Sequence, residues 1–122
     1  MMANKIVIIE KYRSRIKRSA LAWMKKKTGS NILIINLPKG GIETVEITEP
    51  FMDSLLRRFE KSADNEYGRA EGGELIKHAY KNAIEINRDT EYLTESGKLI
   101  IDDLLAEVVE YVKEKHASGG SH

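Results

Sequence analysis

The chain contains no cysteine. A disulfide-stapled scaffold is thereby excluded, and so is any zinc site built on thiolates. Long apolar runs are missing as well. The longest are Ile6-Val7-Ile8-Ile9 and Ile32-Leu33-Ile34-Ile35. A helix that crosses a bilayer needs about 20 apolar residues, so no membrane span and no membrane partner are expected. No leader-like apolar stretch follows Met1, which points to a cytoplasmic protein. Aromatic residues are sparse at 7%, and proline occurs twice. Net charge is almost absent, with 20 basic against 19 acidic residues.

What is present suffices for a core. The 122 residues are 41% hydrophobic and 32% charged, a composition of folded domains rather than of disordered chains. A chain of this length buries about two-thirds of its unfolded surface. One domain is expected over residues 1–116. The ending 117–122 (ASGGSH) reads as an appended purification tail.

Periodicity divides the chain into elements. Residues 5–10 (KIVIIE) read as a short buried strand, being β-branched and apolar. Tyr12 to Lys27 reads as a helix with Ile16, Ala20, Trp23 and Met24 on one face, closed by Gly29. Residues 31–37 and 42–48 read as two strands joined by Pro38-Lys39-Gly40-Gly41, a hairpin. Thr48 is a candidate N-cap with Pro50 in the first turn, opening a helix that runs to about Ser62. Residues 63–72 read as a polar loop, 73–87 as a helix, Asp89 to Glu95 as one more helical turn, and Ser96 as the cap of the last helix. The expected fold is α+β: a small three-stranded sheet (βαββ) followed by three helices.

Charge is segregated along the chain. Residues 1–42 hold ten basic residues and a single acid, Glu10, whereas residues 43–122 hold ten basic and eighteen acidic residues. The basic charge concentrates on the first helix. Lys11, Arg15, Arg18 and Lys25 lie close to one line down that helix, and Arg13 and Lys17 form a second line. A stripe of this kind neutralises phosphates and releases counterions, which gives sequence-independent affinity. Cations near a helix N-terminus oppose the macrodipole, so Lys11, Arg13 and Arg15 call for a compensating anion. Nucleic acid, an acidic protein surface and the chain's own acidic half are the candidates, beside a plain solvated face.

Other motifs have simpler readings. Trp23 falls on the apolar face and is most simply core. Gly68, Gly72 and Gly73 match neither phosphate-loop nor dinucleotide spacing and read as a turn. His78 lacks a second ligand at helical spacing, and Asp102, Asp103, Glu107 and Glu110 read as a solvated acidic face. No constellation supports nucleophilic, hydride-transfer or phosphoryl-transfer chemistry, so neither enzyme activity, a cofactor nor a metal is expected.

The expected function is a small non-enzymatic binding or regulatory protein that contacts nucleic-acid backbone through Lys11, Arg13, Arg15, Lys17, Arg18, Lys25 and, from the hairpin turn, Lys39. The alternative is a protein-interaction module, an inhibitor or adaptor of mobile-element type. It would use the segregated charge, or a homo-oligomer seam on the last helix.

Overall fold

The structure is a computed structural model that describes residues 2–119, with side chains described over 7–117. The fold is α+β, with four helices and two antiparallel hairpins. The elements are α1 (Met2–Thr28), β1 (Ile32–Asn36), β2 (Ile42–Glu46), α2 (Glu49–Tyr67), α3 (Arg69–Ala83), β3 (Ile84–Asn87), β4 (Thr90–Leu93) and α4 (Glu95–Gly119). Residues 120–122 of the expected tail, and Met1, lie outside the described residues.

The expected first strand is helical: residues 5–10 belong to α1. A buried strand would hide its apolar run on both faces, but Val7 and Ile8 are exposed here. Ile9 instead extends a helical face already set by Tyr12, Ile16 and Ala20, all packed into the core. Once the helix is nucleated downstream, adding a residue gains one hydrogen bond for each residue fixed. That gain outweighs the weak β preference of the isoleucines. α1 stops where Gly29, at φ +81°, donates its N–H to the Lys25 carbonyl at 2.7 Å.

The first hairpin forms as its alternation predicts. Ile32 pairs with Glu46 and Asn36 with Ile42. Leu33, Ile35 and Val45 turn inward, and Ile47 follows them into the core. Thr48 caps α2, accepting the Phe51 N–H at 3.2 Å, with Pro50 in the first turn.

The expected loop over 63–72 is not a loop. α2 continues to Tyr67, Gly68 alone breaks the backbone at φ +87°, and α3 starts at Arg69. Buried Gly72 explains the tight junction. A Cβ there would stand 2.8 Å from the Ala63 carbonyl oxygen and from the Asp64 Cα, so the two helices approach through a missing side chain.

The C-terminal half differs in two further respects. α3 ends at Ala83, and residues 84–87 and 90–93 form a second hairpin in place of a helix end and an extra helical turn. Apolar positions 83, 84, 86 and 93 fit either period over so short a span. Burial of Ile84 and Leu93 as a cross-strand pair decides it. The last helix is capped by Thr94 rather than Ser96: the Thr94 hydroxyl accepts the Gly97 N–H at 3.1 Å. The expected three-stranded sheet is therefore replaced by two separate two-stranded ones.

α1, α2 and α3 pack against one another, the β3–β4 hairpin lies on α1, and α4 packs on α3. One core cluster joins all four helices and the β3–β4 hairpin. Ile101, Leu104 and Val108 of α4 are buried in that cluster, and Ile100, Leu105 and Val112 pack against it partly buried.

Two substitutions test this packing. Gly72→Ala should destabilise by about 1–3 kcal/mol through forced separation of α2 and α3, seen as a lower urea midpoint. Arg88 occupies the turn between β3 and β4 at φ +58°, a conformation that costs an L-residue about 1–2 kcal/mol relative to glycine. Arg88→Gly should recover part of that cost and raise the thermal midpoint.

Candidate nucleic-acid interface

The two basic lines on α1 have different fates, and helix geometry separates them. At about 100° per residue, Arg13 and Lys17 share one side, and Lys11, Arg15 and Arg18 share the roughly opposite side. The first side faces α2. Arg13 is buried at 7% exposure. Its Nε and Nη2 donate to the two carboxylate oxygens of Glu60 at 2.6 and 2.7 Å. The Tyr80 hydroxyl donates to Glu60 Oε2 at 2.7 Å. A single carboxylate thus ties α1, α2 and α3 together. Glu60 holds the Arg13 guanidinium above its ordinary pKa despite desolvation. Burial, reinforced by Glu60, pushes the Tyr80 phenol well above the ordinary range. Lys17 lies 3.8 Å from Asp53, whose carboxyl is held low first by the hydrogen bond from Arg57 and then by surrounding cations.

The second side faces α3, the β3–β4 hairpin and solvent. Arg15 and Arg18 both reach Glu91 of β4, at 3.5 and 3.2 Å. One carboxylate shared by two guanidiniums leaves a positive surplus. Between α1 and α3 lies a cleft of about 320 Å³, lined by Ile8, Lys11, Tyr12, Arg15, Lys77 and Lys81. Among the described residues no acidic side chain lines it. Lys77 has a neighbouring carboxylate, Glu74, at 3.5 Å. Lys11 and Lys81 enter no ion pair among the described residues. A more open depression along the outer side of α1 is lined by Val7, Glu10, Lys11, Ser14, Arg15 and Arg18, so one acid lies among its cations.

Of the seven cations singled out in the sequence, Lys11, Arg15 and Arg18 are thus brought to one face. Arg13 and Lys17 are turned to α2. Lys25 sits about 21 Å along the helix axis from Lys11, and Lys39 is exposed in the first hairpin turn. Lys77 and Lys81 were not singled out. Their i, i+4 spacing on α3 was visible, but only the packing of α3 beside α1 gives it meaning.

The macrodipole argument also changes. Because α1 begins at Met2, Lys11, Arg13 and Arg15 lie in its interior, beyond the first turn where the dipole acts. Trp23 is half-buried against the core, with Lys27 Nζ 4.9 Å from its ring centroid. Among the described residues no group of three or more His, Asp or Glu is arranged to hold a metal ion, and no helix is long and apolar enough to cross a membrane. No family model, curated protein or solved structure matches the chain.

The buried triad has a pH consequence. A phenol whose folded pKa is raised contributes stability that is intact below its unfolded value of about 10 and is lost as pH rises beyond it. Tyr80→Phe should cost about 1.5–3 kcal/mol at pH 7, from the lost hydrogen bond to the Glu60 carboxylate. The same variant should lose less stability than the parent when urea unfolding is repeated at about pH 11. An equal alkaline loss in both would assign that titration to another group.

Proposed function

We propose that this protein is a non-enzymatic module that binds the backbone of a nucleic acid on the face shared by α1 and α3. The observation that carries the reading is the cleft lined by Lys11, Arg15, Lys77 and Lys81, with no acid among its described lining residues. Four cations from two helices around one depression raise the local potential and draw in a polyanion. Lys11 and Lys81 are the strongest contributors, since neither has an ion pair among the described residues to give up. Arg15 and Arg18 add planar donors suited to phosphate oxygens, and their shared partner Glu91 leaves them a net positive charge. The Tyr12 and Ser14 hydroxyls at the same surface suit hydrogen bonds to phosphate or sugar. Arg13 is left out of the contacts because its donor fork is filled by Glu60, and Lys17 because it faces Asp53. Affinity of this origin depends steeply on salt and little on sequence.

The test is titration of labelled single- and double-stranded DNA and RNA across salt concentrations. Binding should weaken log-linearly with salt. Lys11→Ala with Lys81→Ala should lower affinity at least about tenfold at low salt and reduce the salt slope by about 2 units. Neither side chain is buried, so the melting temperature should hold. Absence of binding at low salt, or affinity indifferent to the double change, would retire the reading and leave an acidic protein surface as the partner to seek.

A further inference from the structure

The cleft between α1 and α3 is not lined by cations alone. Ile8 and Tyr12 share it with Lys11, Arg15, Lys77 and Lys81. Residues 8, 11, 12 and 15 follow the i, i+3, i+4, i+7 spacing of one helical face. They form two adjacent lines on α1, an apolar one of Ile8 and Tyr12 and a cationic one of Lys11 and Arg15, each advancing about 6 Å per step. At about 100° per residue, the apolar line lies on the core side of that face and the cationic line on its outer side. Tyr12 is half-buried and packs against the core. Its ring is therefore held in place before any ligand arrives, which lowers the ordering cost of binding. Ile8 stays 36% exposed. Neither an isoleucine nor a tyrosine ring neutralises a phosphate, so backbone contacts alone leave these two side chains without a role.

We propose, building on backbone binding at this same face, that the cleft takes an unpaired nucleotide: the base rests against Tyr12 and Ile8, the flanking phosphates lie on the four cations, and the nucleic acid bound is single-stranded. A basic groove with an aromatic ring in it is how proteins hold single strands. The cations follow the backbone, and the ring stacks on a base of any identity. Size agrees. At about 320 Å³ the cleft lies at the lower end of the range of about 300–1,000 Å³ found for small-ligand pockets, which suits one nucleotide-sized unit.

A duplex fits the same residues less well. Its bases are paired and stacked on one another, so only phosphates, sugars and groove edges can be reached. Laid over the cleft, it would satisfy the lysines and leave Tyr12 and Ile8 facing no base. Charge by itself favours the duplex, because each phosphate neutralised there releases about 0.9 of a counterion, against about 0.7 on a single strand. A preference for single strands therefore has to come from groups other than the cations, and Tyr12 and Ile8 are the ones at hand.

The experiment measures the affinity of the full chain at low salt for labelled oligothymidine and oligouridine, for their base-free sugar-phosphate counterparts, and for duplexes matched in phosphate number. A base-bearing single strand should bind at least about fivefold more tightly than its base-free counterpart, and more tightly than the duplex. Oligothymidine and oligouridine separate DNA from RNA as the source of the nucleotide, through the 2′-hydroxyl, and the gain in either supports the proposal. Tyr12→Leu keeps an apolar side chain for the core and should remove most of that gain, with helix content unchanged. Tyr12→Phe keeps the ring and should preserve the ratio of base-bearing to base-free affinity. The base-free comparison uses the unaltered protein, so it decides the matter even if Tyr12→Leu unfolds. A base-free strand or a duplex bound as tightly as the base-bearing strands overturns the proposal and leaves backbone binding standing. A gain that survives Tyr12→Leu in a folded protein also overturns it, placing the base elsewhere. Absence of binding by every probe overturns this proposal and backbone binding together.

Discussion

The buried contact of Arg13 with Glu60 and Tyr80 is the constraint on which the arrangement of the helices depends. It joins α1, α2 and α3 through one carboxylate that accepts from a guanidinium and a phenol. Taking both charges out of water costs about as much as their attraction returns, so the contact is better understood as fixing orientation than as adding stability. Its geometry sets the rotation of α1 about its own axis. With Arg13 turned to α2, the residues on the opposite side of the helix face α3 and solvent. The cleft of Lys11, Arg15, Lys77 and Lys81 follows from that rotation.

Charge segregation along the chain has its explanation in the same contacts. A strongly basic N-terminal third and an acidic remainder attract one another, and folding brings them together as Arg13–Glu60, Arg15–Glu91, Arg18–Glu91 and Lys17–Asp53. Much of the basic helix therefore serves the protein's own assembly. The exposed pairs among these are worth little individually, but they share one direction, across the interfaces of α1. What is left is a smaller and better-defined surface: Lys11 and Lys81, which enter no ion pair among the described residues, Arg15 and Arg18, which share Glu91, and Lys77 beside Glu74. The functional proposal is correspondingly narrower than a stripe along the whole helix.

The two hairpins play unequal parts. The β3–β4 hairpin lies against α1, contributes Ile84 and Leu93 to the core, and carries Glu91 to the arginines. The β1–β2 hairpin packs one face inward and leaves the other to solvent. His116 of α4 reaches Glu43 on its inner side at 3.2 Å, so the hairpin is held on one side only. The β3–β4 hairpin is covered by α1, whereas the outer face of the β1–β2 hairpin stays exposed.

Local features of the sequence were legible wherever a few adjacent residues decide the outcome. The Pro38–Gly41 turn, the alternation of the strands beside it, the Thr48 cap with Pro50, and Gly29 as a helix stop all act within a handful of residues. So do the helical faces of α1 and α4. The separation of the basic residues into two lines was legible for the same reason, since helix periodicity is a local property. The misread segments are those where local preference is weak and distant packing decides. Residues 5–10 follow the helix below them, residues 63–72 are helical because Gly72 lets α2 and α3 close on each other, and residues 84–93 pair because Ile84 and Leu93 find a place in the core. The sequence by itself determined the α+β class, the hairpin turn chemistry and the uneven charge. Only the tertiary structure decided which cations are spent on Glu60, Asp53 and Glu91, and that α3 adds Lys77 and Lys81 to those that remain. Ion pairing depends on distances between residues far apart in the chain, and no periodicity encodes those.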